Sequence, residues 1–530
     1  MKSLVVKSNK LPEIKDGIIK GLEIASGAKS SATFYHKRED QIAAVKNAVS
    51  NLYNISKELP LLLANQKGAT GFFVQEVVLN ELKKTTLGGV CNIVDEEDWS
   101  TNGVCMKALV KALHNLDGDS GITYVLRLFT QFRSERINNE RARRIALSYI
   151  WGHPNMEFVF LKYRNKIKKV LTHVYGQKMM SVLGEISTTF VEKNVFKNEQ
   201  SNEIVTKKIF IYSGEDTKRI CKLFLFLVGK QKEKYYDSTT PLIVDYFKAK
   251  KNVIGIKNVP EEVLTGLLSN RKHPQYMTHW SSKELRESTL KEIRNKTVAT
   301  SVNQQMRQTK KNEELGVTKK VNVEAVTDFL ALYKTGYENG FTNDIGNQID
   351  ELAKRKKINN FPYSNIGIVI DNSLSMFGDA NESRNTPRAI SDFTAKVIAL
   401  SAKNSVIEKT EKEGSDIATS FVTLIEKLEA ASYDSYDAIF IFSDGYENSY
   451  DGLLNEVILA WKGLTKEELP IYHVSPIVGA EVGAKVRSLG SELTAIAINK
   501  PEALLMQMNS KLLEADTKAW LRREFLELAK

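Results

Sequence analysis

The run Ile366-Gly367-Ile368-Val369-Ile370-Asp371-Asn372-Ser373-Leu374-Ser375-Met376 passes from an unbroken apolar, β-branched segment straight into an acid and two hydroxyls. An apolar run without polar alternation is the pattern of a strand buried on both faces, and Asp-Asn-Ser favours the turn that ends it. On the C-terminal side, Ala438 to Phe442, Ile471 to Ile477 and Leu493 to Ile498 repeat the buried-run pattern. Helical spacing in Ala389 to Ala402, Leu453 to Trp461 and Pro501 to Leu513 falls between or after them. Strands alternating with helices predict an α/β doubly wound, Rossmann-like sheet whose ligands bind at the strands' carboxyl ends.

Upstream the period changes. From about Asp40 to Thr300 apolar residues recur at helical spacing, as in Ile42, Val45, Val49 and Leu52, with short polar breaks such as Asn65 to Gly68 and Gly152 to Asn155. That rhythm predicts a HEAT-like stack of helix pairs, with Lys208 to Tyr212 as a possible strand. Ser301 to Val321 is polar and reads as a long loop or an exposed helix start, and helices are expected at Asn322 to Tyr337 and Gln348 to Lys356. The basic run Lys354 to Lys357 closes the last of these and sets an expected boundary near residue 360. The expected domains are therefore 1–360, helical, and 361–530, α/β.

Charge divides the same way. The chain of 530 residues carries 75 Lys+Arg against 64 Asp+Glu, net +11. Residues 361–530 hold 17 basic and 25 acidic side chains, which leaves 58 against 39 upstream, so −8 follows +19. A positive surface of that size suggests a polyanionic partner, most simply nucleic acid. No apolar run approaches the roughly 20 residues that cross a bilayer, and the start of the sequence lacks the apolar segment of a signal peptide, so a cytoplasmic protein without membrane contact is expected. Cys91, Cys105 and Cys221 form no CxxC pair, and neither a disulfide framework nor a zinc site is expected.

One carboxylate and two hydroxyls on a tight turn are hard oxygen ligands, the kind that Mg²⁺, or Mn²⁺ or Ca²⁺, prefers. The same residues also make ordinary Asx and Ser turns, but Ser443-Asp444-Gly445 at the end of the second buried run brings another acid to a strand end. Ile366 to Met376, Gly414-Ser415-Asp416 and Ile439 to Gly445 resemble the three metal-binding loops of a von Willebrand factor A domain. That resemblance implies metal ligation by Asp371, Ser373, Ser375, Ser415 and Asp444. Ser415 stands where the family has threonine, with Thr419 as a substitute. Only about ten residues separate Lys403 from Gly414, where the family has two further strands. A truncated sheet with the first strand at its edge is one expectation, and a misassigned second loop the other.

A helical basic body followed by an A domain resembles the TROVE-domain (Ro 60 kDa autoantigen) family. Phe329-Leu330-Ala331-Leu332-Tyr333-Lys334-Thr335-Gly336, then Ile349 to Ala353, is similar to that family's lead-in to the A domain, as Val259-Pro260 with Leu264 to Leu268 is to its preceding segment. The resemblance implies a ribonucleoprotein component whose helical repeats close into a ring. Single-stranded ends of misfolded or noncoding RNA would enter it, Y-like RNAs would bind outside, and the metal site would recruit a ribonuclease or other protein to a monomer. Matching chemistry is present in Arg141, Arg143 and Arg144, preceded by Arg133 and Arg136, and in Lys162, Arg164, Lys166, Lys168, Lys169 and His173. Tyr149, Trp151, Tyr163 and Tyr175 are interleaved with them, as stacking faces for bases or as core. Arg271, Lys272, His273, Arg286, Lys291, Arg294 and Lys296 form a second basic group, and His273 and His279 are spaced wrongly for two ligands on one helical face.

No nucleophile, base and orienting group recur together, and GxSxG, HExxH and Walker A motifs are absent. No enzyme is expected. The alternative to RNA binding is a scaffold in which the helices hold a protein and the metal site captures a carboxylate.

Overall fold

The computed structural model describes residues 11–27, 38–56, 58–66, 69–83, 90–91, 99–116, 118–229, 232–252, 256, 258–268, 283–296, 329–339, 341, 343–358, 361–373, 376, 387–410, 416–431, 436–447, 449–466, 468–476, 487–498, 501–508, 520–521 and 524. Two compact units are present: Met1–Leu116 together with Asp328–Lys530, and Asp117–Thr327. These units do not follow a boundary at 360. Secondary-structure class changes there, but packing is decided by which apolar faces meet.

The discontinuous unit is built on a sheet. After a two-residue antiparallel ribbon, β1 (Val90–Cys91) and β2 (Trp99–Ser100), come β3 (Asn365–Ile370), β4 (Asn404–Lys409), β5 (Ala438–Phe442), β6 (Ile471–Ser475) and β7 (Thr494–Ala497). The last five form one parallel sheet in the order β4-β3-β5-β6-β7, with Ile366 opposite both Ser405 and Ala438. The sheet is therefore less truncated than the sequence suggests, and β3 is not an edge: β4 lies in the ten-residue interval and covers it. β4 itself is the edge, half-buried to exposed along its length, which is why charged residues are tolerated in it.

Helices cover both faces, so β3 and β5 are buried almost throughout. Val369, Ile439, Ile441 and Ile471 enter a core with the helices Ile417–Ala430 and Leu453–Thr465. Gly367 lets the first of these come close, since a Cβ there would lie 3.0 Å from Leu424. The other face carries the helix Pro387–Ser401, against which Phe329–Asn339, Asn343–Arg355 and Pro501–Met508 pack. The N-terminal helix Leu11–Gly27 buries Ile14, Ile18, Leu22 and Ala25, and packs against β7 and Pro501–Met508 as well as against Arg38–Ile55. Gln66 Nε2 donates to Glu524 Oε2 at 2.6 Å, a second tie between the two ends of the sequence.

The unit Asp117–Thr327 is helical, and its most extensive packing is between helices that are not sequence neighbours: Thr217–Val228 lies on Gln177–Lys193 and on Met156–Tyr175, and Gly118–Ser134 lies on Met156–Tyr175. Met156–Tyr175 lies at its centre, touching Gly118–Ser134, Glu140–Trp151, Gln177–Lys193, Thr217–Val228 and Pro241–Lys251. Side chains of Asn139, Asn198 and Asp216 cap three helices. Lys208 to Tyr212 is not a strand. Glu199–Lys208 is helical and Phe210–Tyr212 forms a 3₁₀ turn. Cys221 is buried in Thr217–Val228, and burial pushes its thiol up to about 12, as for a small core residue. Among the described residues no helix is long and apolar enough to cross a membrane.

Candidate metal centre and nucleic-acid interface

Strand order reverses at β3, whose neighbours β4 and β5 lie on opposite sides, and the loop leaving β3 is therefore the expected ligand position. Asp371 is 2% exposed there and Asp444, leaving β5, is 3% exposed. The Asp371 N–H donates to the Phe442 carbonyl at 2.8 Å, continuing the pairing of β3 and β5 by one residue. Asp371 Oδ1 accepts from the Ser373 N–H at 2.9 Å and Oδ2 from the Ser443 hydroxyl at 3.1 Å. Ser443 Oγ also accepts from the Gly445 N–H at 3.0 Å, and Asp444 Oδ1 from the Tyr446 N–H at 3.1 Å. Gly445 has φ +89°, a conformation that glycine adopts without Cβ strain.

Burial raises the Asp371 carboxyl above the ordinary carboxylate range, and the nearby Asp444 charge adds to this against the hydrogen bonds from Ser373 and Ser443. Among the described residues neither carboxylate has an ion-pair partner. Asn372 Oδ1 and Asp416 Oδ2, on the adjoining loops, are buried without hydrogen-bond partners. Two buried acids without an ion-pair partner among the described residues, with the orphaned Asn372 Oδ1 on the same loop, are oxygen donors of the kind a hard divalent cation takes, although the described residues hold no group of three or more acidic, histidine or cysteine side chains placed to bind one. Asp371, Ser373 and Asp444 are thus brought together. Ser375 and Ser415 lie outside the described residues, as do Gly414 and Glu382. Thr419 is exposed on its helix. The threonine beside the first loop is Thr410, 2% exposed, whose Oγ1 accepts from the Asn372 N–H at 2.6 Å. Its place after an edge strand hid it from sequence reading. Beneath the third loop, buried His473 of β6 sets Nε2 3.1 Å from the Ser443 carbonyl.

The basic residues of Asp117–Thr327 sort into two sets. Lys162 faces Glu262 at 3.3 Å and the Phe158 ring at 5.5 Å, and Arg164 lies 4.8 Å from the Phe226 ring, where burial lowers its pKa. Arg144 pairs with Glu140 on the surface, Arg143 is exposed and Arg141 half-buried. Lys166, Lys168 and Lys169 project into solvent. Arg133, Asn165, Lys168, Lys169, Thr172 and His173 line a cavity of about 570 Å³. His173 is anchored in it, Nε2 3.2 Å from the Ile137 carbonyl. A second cavity, of about 400 Å³, shares Asn165 and adds Lys162, Tyr163, Arg164 and Lys166 to Phe226 and Tyr246. The helix bends between them at Tyr163, whose φ/ψ of −111°/19° is not helical.

Neither cavity includes Arg141, Arg143 or Arg144. Tyr149 and Trp151 are core, 2% and 0% exposed, and Tyr175 accepts from Trp151 Nε1 at 3.1 Å. Of the four aromatics, Tyr163 lines one of these two cavities, beside Phe226 and Tyr246, which sequence spacing did not single out. Arg271, Lys272, His273 and His279 lie outside the described residues.

A five-stranded parallel sheet with acid and hydroxyl groups at its reversal point, in one unit, and a helical second unit define the class of this protein as an α/β unit joined to an all-helical one. Among solved structures, the crystal structure of the Ro (RSR) protein of Deinococcus radiodurans is similar over 93% of this chain and 99% of that one, at 10% sequence identity and a TM-score of 0.42. At that identity and score no function transfers. No protein-family profile and no curated protein matches the chain.

Proposed function

We propose that this chain is a noncoding-RNA-binding protein of the Ro type. The unit Asp117–Thr327 holds single-stranded ends of misfolded or Y-like RNA by their phosphates. The site at β3 holds Mg²⁺, or Mn²⁺ or Ca²⁺, and recruits a protein such as a ribonuclease. The observation that carries this reading is where the charge lies. Asp117–Thr327 has 38 Lys+Arg against 22 Asp+Glu, net +16, while the other unit has 37 against 42, net −5. Lys168 and Lys169 present that charge in a concave site beside a ring-lined one, which suits phosphates and splayed bases without sequence preference. The resemblance of the junction sequence to TROVE-domain proteins supplies the RNA class.

Asp371, Ser373 and Asp444 would hold the cation, which supplies an open coordination position for an anionic oxygen. The chain's own residues bury the site and fix the carboxylates through Ser373 and Ser443. Among the described residues they present no nucleophile and base pair, which supports binding as the role of the site.

Binding of an RNA with a single-stranded 3′ end, measured across salt concentrations, tests the reading. Affinity should fall linearly on a log–log plot, and Lys168→Ala or Lys169→Ala should each lower the slope by about 1 and weaken all sequences alike. Asp371→Ala should abolish Mg²⁺-dependent capture of a protein partner and leave RNA affinity within about twofold. No RNA binding by folded protein at about 0.1 M salt would overturn the RNA assignment.

A further inference from the structure

A third cavity, of about 410 Å³, opens where the helices Phe329–Asn339, Asn343–Arg355 and Pro387–Ser401 meet the carboxyl ends of β3 and β4, at Ile370 and Lys409. Tyr333, Tyr337 and Phe341 form one wall, packed tilted or edge to face with centroids 5.2 to 6.0 Å apart. Phe341 sits over Gly336, where a Cβ would lie 2.4 Å from its ring, yet the residue remains 49% exposed. A ring held this way offers a fixed surface to a planar ligand.

The opposite wall is charged. Asp392 accepts from the Tyr337 hydroxyl at 3.2 Å and pairs with Lys409 at 3.0 Å and with Arg388 at 3.5 Å. Arg388 and Lys409 thus share this carboxylate. Lys396, also lining the cavity, is balanced by Asp350. Arg388 is built into the wall, whereas the Lys409 side chain is half exposed at the mouth. The cavity thus joins an accessible aromatic face to a half-exposed lysine at its mouth, within the volume range of small-molecule sites. It also lies beside the point where strand order reverses, a position at which doubly wound sheets bind ligands.

The geometry points to a mononucleotide site: a nucleoside mono- or diphosphate with its base on Phe341 and its phosphate at Lys409. A flat heterocycle uses the ring, and a phosphate uses the Lys409 ammonium, which is half exposed at the mouth. The site is independent of the basic helical unit, and its failure would leave the RNA reading untouched.

Calorimetric titration of the full chain with AMP, adenosine and inorganic phosphate tests it. AMP should bind at least tenfold more tightly than either fragment, and Lys409→Ala should weaken it at least tenfold. Gly346 lines the cavity and a Cβ there meets nothing within 4 Å, so the side chain of Gly346→Phe starts from open space, and it replaces a poor helix former. That variant should keep the wild-type melting temperature and RNA affinity and lose AMP at least tenfold. Absence of AMP binding up to millimolar concentration, or AMP binding that survives Gly346→Phe, would overturn the assignment.

Discussion

His473 is fully buried in β6, and burial holds its pKa down to about 4 despite the hydrogen bond to the Ser443 carbonyl. In the unfolded chain the same imidazole titrates near 6.5. Between these values the unfolded state takes up a proton that the folded state refuses. Stability is therefore fully present above pH 6.5 and is lost as pH falls towards 4, by about 3 kcal/mol at most. Urea unfolding at pH 7.5, 5.5 and 4.5 should show this loss in the wild type and a shallower one in His473→Gln; parallel pH profiles would contradict it. Neither His473 nor Thr410 was legible in the sequence as part of the site, because each reaches it through strand pairing. That Asp371, Ser373 and Asp444 would meet at the strand ends was legible, since each directly follows a buried run and parallel strands bring such ends together.

Among elements, the strands buried on both faces announced themselves and the edge strand did not. β3, β5, β6 and β7 lie within or upon the expected runs, whereas Asn404–Lys409 mixes apolar with charged residues because half of it meets solvent. Helix ends depend on single side chains in the same way. Asp216 caps Thr217–Val228 by accepting from the N–H groups of Lys218 and Arg219 at 3.0 and 3.1 Å. Asp216→Ala should cost about 1 kcal/mol, read as a lower urea midpoint at unchanged slope. A loss below about 0.3 kcal/mol would mean that packing of Ile220 to Leu227 alone sets the helix start.

For the chain as a whole, packing redraws the division that period and charge suggested. The basic excess belongs to Asp117–Thr327, and the residues before it pack with the acidic sheet. Periodicity reports each element's local class and says nothing of which distant face covers it, so the placement of Leu11–Gly27 on β7 was invisible in the sequence. It follows that a fragment 361–530 lacks its cover and should aggregate or unfold without a cooperative transition; a cooperative, monomeric fragment in calorimetry would refute this. The same placement has a consequence in time. Leu11–Gly27 is synthesised long before its partners β7 and Pro501–Met508. At ordinary translation rates the helix waits roughly half a minute to a minute and a half with the part of its surface that β7 and Pro501–Met508 cover still open, while the contiguous basic unit is free to fold and to meet a polyanion before those partners are made.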